Sequence, residues 1–477
     1  MRAPAAAMIG CSVLALCACA AGPNFERPAA PALLDYHGPG DRPAPANVQL
    51  APSAATPQQW WTSFGSDELN ALVAEALTRN QTLAEAEANL DQARAAAAAT
   101  AGGALPQANT QASAVRERIN TQAFGFTGFP SPTISLYSLG GSVAFDFDLA
   151  GGRRRAIERD EAKAAAQQAR VDAAYLTISG NVVQQAILIA GLQEKVAAQT
   201  DVLASDQRVL DMVHRAIRAG GQPPAAANTI EAQLAEDQAL LPSLRQQLAE
   251  AQHRLALYLG RAPSAAPDTQ VTLAALQTPA HIPVSLPSEL VRRRPDILAA
   301  EADLHAATAQ IGVDTAALYP SLALNASLTQ GAIDPNEIFS SASTGWSVGP
   351  SLTAPLFHGG SLRAQLHAAN AAQRASLARY QETVLEAFLQ VSDVMQALAN
   401  NQDLVAIQQR AVDTANANVR NTRFAYENGA GALRSLVDAQ RQAMRARLAQ
   451  VDARSAYYQS MAALYVATSA DWHAHAP

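Results

Sequence analysis

The sequence predicts a mixed fold, long α-helices joined to membrane β-strands, laid out as two copies of one plan. Three observations carry this. A motif near residue 77 returns near residue 291, each copy is followed by segments of alternating apolar and polar residues, and two uninterrupted helical stretches follow those segments.

The first eighteen residues form an address. Arg2 precedes an apolar stretch (Met8, Ile9, Val13, Leu14, Leu16) and then small residues, the form of a secretory signal peptide. Leu16-Cys17-Ala18-Cys19 fits a bacterial lipobox with Cys19 as acceptor, so the mature chain is expected to begin at an acylated Cys19. Ala20 follows where an inner-membrane retention signal would place Asp, which points to the outer membrane. All three cysteines lie at or before residue 19, leaving no disulfide, zinc site or thiol nucleophile in the rest of the chain.

Composition narrows the class. The chain of 477 residues is 49% hydrophobic yet only 5% aromatic and 16% charged. Its Ala and Gln suit helices that pack closely. A net charge of −7, with no basic stripe, excludes nucleic acid as the main partner. Beyond the N-terminus no apolar run approaches the roughly 20 residues of a membrane helix. A membrane crossing must therefore be made by strands.

In the repeat, Arg79 falls on Arg293, Glu87 on Glu301, Leu90 on Leu304 and Leu105-Pro106 on Tyr319-Pro320, all at one offset. Downstream of the second Pro, Leu322, Leu324, Ala326 and Leu328 alternate with Ala323, Asn325 and Ser327. Trp346, Val348, Pro350, Leu352, Ala354 and Leu356 continue the pattern, and Val143, Phe145, Phe147 and Leu149 repeat it in the first half. Strands are expected at about 106–118, 138–150, 320–330 and 344–357, with residues 119–137 a loop at the cell exterior. Four strands cannot close a barrel, so several chains must contribute. Asp146 and Asp148, two apart on a strand, share one face and are expected to line the pore.

Arg153–Arg218 and Leu362–Glu427 each read as one helix of about 65 residues, roughly 100 Å long. Leu377, Tyr380, Val384, Phe388, Val391, Met395 and Leu398 form a three-and-four seam in the second. Tight turns at Gly220-Gly221-Gln222-Pro223-Pro224 and Asn428-Gly429-Ala430-Gly431 send the chain back as helix. The expected layout is a signal peptide (1–18), a lipidated strap (19–60), a first repeat (61–260), a linker (261–287), a second repeat (288–470) and a tail (471–477).

Several motifs resemble the NodT-type outer-membrane efflux lipoproteins. They are Cys19-Ala-Ala-Gly22-Pro23-Asn-Phe25-Glu-Arg27-Pro28, Glu289–Asp296 (ELVRRRPD), Ala317–Ser321, Pro355–Gly360 and Val437–Arg441. The resemblance implies a TolC-like homotrimer, a transmembrane barrel of twelve strands over a periplasmic barrel of twelve helices. It would be the exit duct of a tripartite efflux pump, passive, with a periplasmic adaptor (membrane fusion) protein and an inner-membrane transporter of RND type as partners. It implies that the turns at Gly220, Gly221, Gly429 and Gly431 meet the adaptor, and that acidic residues on the last helix constrict the tip. Asp438 matches one such position. Ser435 stands where the other acidic residue is common and Arg434 where an apolar one is frequent, so the gate departs from the family pattern. No cofactor is implied besides the lipid on Cys19.

The nearest rival is a periplasmic adaptor lipoprotein, which should carry one helical hairpin and soluble β-domains. Two hairpins and a duplicated strand pair oppose it. An enzyme is a poorer fit, since the chain has no HExxH, GxSxG or P-loop motif.

Overall fold

The computed structural model describes residues 20–31, 35–43, 45, 48–50, 57–125, 128, 130–279 and 281–468. Cys19 and the tail therefore lie outside the described residues. In chain order the elements are β1 (Val48–Leu50), α1 (Asp67–Arg79), α2 (Gln81–Gly103), β2 (Gln107–Arg118), β3 (Thr133–Phe147), α3 (Gly152–Arg218) and α4 (Ala225–Tyr258). Then come β4 (Ile282–Val284), α5 (Pro287–Arg293), α6 (Pro295–Ala316), β5 (Ser321–Ala332), β6 (Thr344–Thr353), α7 (Ser361–Glu427) and α8 (Leu433–Thr468).

Local chemistry sets the helix starts. The Ser66 hydroxyl accepts from the Leu69 N–H at 3.2 Å to open α1, with Asp67 and Glu68 in its first turn. Asn80 ends α1 and opens α2, its Oδ1 accepting from the N–H groups of Thr82 (2.9 Å) and Leu83 (3.2 Å). Both long helices run 67 residues. In α7 the expected seam is present, with Tyr380, Val384, Val391, Met395 and Leu398 buried and Ala387 added to it.

The chain forms two compact units, each taking segments from both repeats. One comprises the N-terminal segment to Pro28, Asn89–Gln167 and Ala300–Tyr380, and it holds the whole four-stranded sheet. The sheet is antiparallel in the order β2-β3-β5-β6, so two hairpins sit side by side with β3 against β5. The other comprises Ala29–Ala88, Gln168–Ala299 and Gln381 onward. Its core stacks Trp60 on Tyr465 (ring centroids 5.5 Å apart), with Phe64 against Tyr458 and Tyr465.

Four expectations need correction. Strand β3 begins at Thr133, not at 138, because Thr133–Tyr137 pair with Arg118–Ala114. Strand β6 stops at Thr353, before Pro355, which has no N–H for a ladder. A short parallel pair joins β1 to β4, inside the expected strap and linker, where no strand is expected because three-residue strands leave no period to see. Finally, an 18-residue window of α3 is apolar enough to cross a membrane, but 61% of it is buried within the protein. Val182, Val183, Ala186, Ile187 and Ile189 of that helix are core residues.

Candidate functional site

The sheet has two unlike faces. Cross-strand partners share a face, so the register places Phe147, Leu322 and Leu352 in one row. Phe145, Leu324 and Pro350 form the next row, then Val143, Ala326 and Val348. Most of these side chains are open to solvent, and Phe145 packs edge-on against Phe147 with ring centroids 5.0 Å apart. Trp346 is 77% exposed, Leu352 67% and Val348 65%, and Val143, Phe147 and Leu328 are exposed as well. The opposite face carries Asn109, Gln111, Ser113, Ser138, Ser142, Asn325, Ser327 and Ser347. There Ser113 bonds Ser138 at 2.7 Å and Ser327 bonds Ser347 at 2.9 Å. A sheet exposing a continuous apolar face suits lipid, not water. Among the described residues the outer edges of β2 and β6 have no strand partner.

Asp146 lies on the polar face of β3 and pairs with Arg153. Asp148 does not share its role. It stands one residue beyond the strand, and its carboxylate accepts from the N–H groups of Arg153 (3.0 Å) and Arg154 (2.9 Å) at the start of α3. Asp148 is a helix cap there, because free N–H groups at a helix start attract a carboxylate.

In the other unit the two hairpin turns are built alike. Gly220 (φ +76°) and Gly429 (φ +73°) are left-handed, as the end of each long helix requires. The Gly221 N–H donates to Ala216 O at 2.9 Å and the Ala430 N–H to Ala425 O at 2.8 Å, the same reverse closure in both. Gly431 packs tightly, since a Cβ there would stand 3.0 Å from Ala425 Cβ. Arg434, Ser435 and Asp438 all lie on the exposed face of α8. The side chains of Arg434 and Asp438 are 92% and 62% exposed and come within 3.9 Å of each other, while Leu436 and Ala439 face inward.

The family model described as "Outer membrane efflux protein" matches residues 72–261 and 286–470. The chain belongs to that family. It is 30% identical over 449 residues to the pyoverdine export outer membrane protein OpmQ of Pseudomonas aeruginosa, covering 91% of this chain and 94% of that one. It is 29% identical over 440 residues to nodulation protein T of Rhizobium leguminosarum bv. viciae, covering 90% and 86%. Among solved structures it resembles the outer-membrane channel OprN, with a TM-score of 0.84, 29% identity and coverage of 95% and 100%. The protein is thus an outer-membrane efflux channel of the TolC-like fold, and not an adaptor.

Two features of this efflux channel escaped the sequence reading. The first is the docking of residues 20–28 onto the sheet's unit. Ala21 N–H donates to Ala150 O at 2.8 Å, and Arg155 donates to Ala21 O (3.1 Å) and Asn24 Oδ1 (2.7 Å). Phe25 stacks on His305 at 4.4 Å, and Arg27 donates to Glu301 at 2.7 Å. Gly22 (φ +81°) lies so close to Gly312 that a Cβ would stand 2.6 Å from its Cα. The N-terminal motif that carried the family resemblance is therefore a clamp.

The second is a buried carboxyl pair behind the first turn. Asp206 of α3 and Asp237 of α4 are only 6% and 5% exposed. The Gln199 Nε2 donates to Asp237 O at 2.8 Å, and Gln233 bonds the Asp237 carboxylate. Burial, then the neighbouring Asp237 carboxylate, pushes Asp206 up to about 7, opposed by Arg441 of α8. Toward the turn the same interface is apolar, with Val209, Leu210, Val213, Ala227 and Ile230 clustered.

Proposed function

We propose that three copies of this chain close the four-stranded sheet into a twelve-stranded barrel and the long helices into a tunnel of twelve. The single observation carrying this is a sheet whose exposed face is apolar and whose two edges are unpaired among the described residues. Four strands are half of the smallest membrane barrel, so the edges call for further copies of the same chain.

In this reading the protein is a passive duct without catalytic activity or cofactor. An inner-membrane transporter of the RND type supplies the work, and a periplasmic adaptor meets the turns at Gly220, Gly221, Gly429 and Gly431. Cys19 carries the covalent lipid. Two residues on, the Ala21 N–H donates to Ala150 O just past the end of β3. Asp438 from three copies surrounds the tip opening as an acidic ring, with Ser435 and Arg434 beside it. Arg434 tempers that ring, since it lies one helical turn away on the same face. Asp146 lines the periplasmic end of the barrel.

The test is the mass of the complex extracted from outer membranes in mild detergent. Three chain masses are expected, and a monomer would overturn the reading. The same material in a planar bilayer tests the gate. Asp438→Asn should lower the cation preference of the conductance, and an unchanged preference would remove Asp438 from the gate.

A further inference from the structure

On the apolar face of the sheet, the row Tyr137–Ala332 closes the pairing between β3 and β5 at the end away from the long helices. From Phe147 to Tyr137 the face runs ten residues along β3. At about 3.4 Å per residue and a tilt of about 40°, this is a band roughly 25 Å tall, the height of a bilayer's hydrocarbon core. Since α3 leaves the Phe147 end toward the periplasm, the Tyr137 end faces the exterior.

The first hairpin continues past that band. Opposite Ser135 stands Arg116 and opposite Thr133 stands Arg118. Two-residue alternation from Tyr137 puts both arginines on the lipid-facing side. Their level is beyond the band by about 5 and about 10 Å, the depth of the outer-leaflet headgroups. Glu117, between them, points to the other face. Residues 119–132 contain no acidic residue. Among the described residues neither Arg116 nor Arg118 forms an ion pair. Beside them is a solvent-open hollow lined by Arg118, Asn120, Gln122 and Ser131. Asn120 Oδ1 accepts from the Gln122 N–H at 3.2 Å, which leaves the Asn120 NH₂ to donate.

Two exposed guanidinium groups at headgroup depth, beside a hollow lined with amide and hydroxyl groups, match a phosphate group. The planar guanidinium fork holds two phosphate oxygens at once. We propose that Arg116 and Arg118, with Asn120, Gln122 and Ser131, bind the phosphate of an anionic lipid headgroup in the outer leaflet. The second hairpin lacks this feature. Its loop carries Asp334 and Glu337 and no arginine, and the Asp334 carboxylate accepts from the Asn336 N–H at 2.9 Å. The site therefore belongs to the first repeat alone, one per chain.

The test reconstitutes the full chain in phosphatidylcholine vesicles containing phosphatidic acid, then counts retained lipids per complex by native mass spectrometry. Wild-type protein should retain phosphatidic acid in preference to phosphatidylcholine. Arg116→Ala/Arg118→Ala should lose that preference by about tenfold or more, the effect of at least one charge-assisted hydrogen bond. Arg116→Lys/Arg118→Lys should keep part of it, as a point charge without the fork. Equal retention by wild type and the alanine variant would overturn the site. Competition by inorganic phosphate as strong as by the lipid would assign it to free phosphate and overturn the lipid assignment. Each count is divided by the number of chains in its complex, so a failure to trimerise would register separately, in the mass of the complex.

Discussion

Behind Gly220 the first hairpin buries two carboxyls, Asp206 and Asp237, while behind Gly429 the second leaves Arg434 and Asp438 in solvent. The turns themselves are nearly superimposable in chemistry, with the same left-handed glycine and the same reverse hydrogen bond. The repeat has thus kept what backbone geometry demands and changed what side chains can do. The same contrast appears at the other end of the helices. Asn80 and Arg294 occupy equivalent positions, each ending a short helix and preceding a long one. Asn80 Nδ2 donates to Tyr258 O at 2.8 Å, and Arg294 Nη1 donates to Ala467 O at 3.2 Å. Each ties its own returning helix to the root of its repeat. One does so with a neutral amide, the other with a buried guanidinium that also holds Asp296 and Gln390. Duplication preserved the joint; divergence changed the charge.

The sheet is where the halves should prove equivalent, and the largest effect tests that. Val143 and Val348 share a row with Ala326 on the apolar face. An arginine on the lipid side near mid-depth costs about 2–4 kcal/mol in each chain. Val143→Arg and Val348→Arg should therefore each abolish most of the heat-modifiable trimer on a semi-native gel. Ser142→Arg and Ser347→Arg, on the other face, should leave it in place. Failure of only one valine variant would show that the two hairpins do not face lipid alike. Tolerance of both would contradict the assigned faces.

The hairpins are where the halves should differ, and Asp206 reports this through pH. Its carboxyl is pushed up to about 7 in the fold by burial and by Asp237, whereas an unfolded Asp titrates near 3.8. Between those values the folded state holds a proton that the unfolded state has released. The stability contributed by this site is full below about pH 4. It falls as pH rises toward about 7, and is flat above that. Asp206→Asn replaces the pair's charge repulsion with a neutral isostere. It should stabilise the first hairpin at pH 8 by on the order of 1–3 kcal/mol and have little effect at pH 4. Hydrogen exchange across α3 and α4 would measure it. A variant equally stabilised at both pH values would show that the benefit is not electrostatic.

These contrasts were unequally legible in the sequence. The long helices, their turns and the repeat could be read from glycine, proline and apolar period, because those residues act within one or two turns of chain. The strands were legible in the middle, where Leu322–Leu328 alternate, and illegible at Thr133–Tyr137, whose neighbours are Gly, Ser and Pro. Asp148 looked like a strand residue only because its partners, the N–H groups of Arg153 and Arg154, belong to the next helix. Asp206 and Asp237 sit at spacings that suit a helical seam. Nothing in one helix, however, shows that its buried acid faces another acid thirty residues later. The clamp from Ala20 to Pro28 carried the family resemblance, but its contacts with Ala150, Arg155, Glu301 and His305 are tertiary.

The smallest effect returns to what the halves share. Nothing lies within 4 Å of a Cβ built on Gly220 or on Gly429, so neither site resists a methyl group by crowding. Both are left-handed, and an L-residue there costs about 1 kcal/mol from backbone sterics alone. Gly220→Ala and Gly429→Ala should therefore destabilise their own hairpins by nearly equal amounts, read as faster amide exchange in the last turn of α3 or α7. Neither should change trimer yield, because neither glycine belongs to the strands that build the sheet. If one alanine costs much more than the other, the shared turn geometry is not the whole constraint. The turn with the larger cost would then be held by something beyond its own hydrogen bonds.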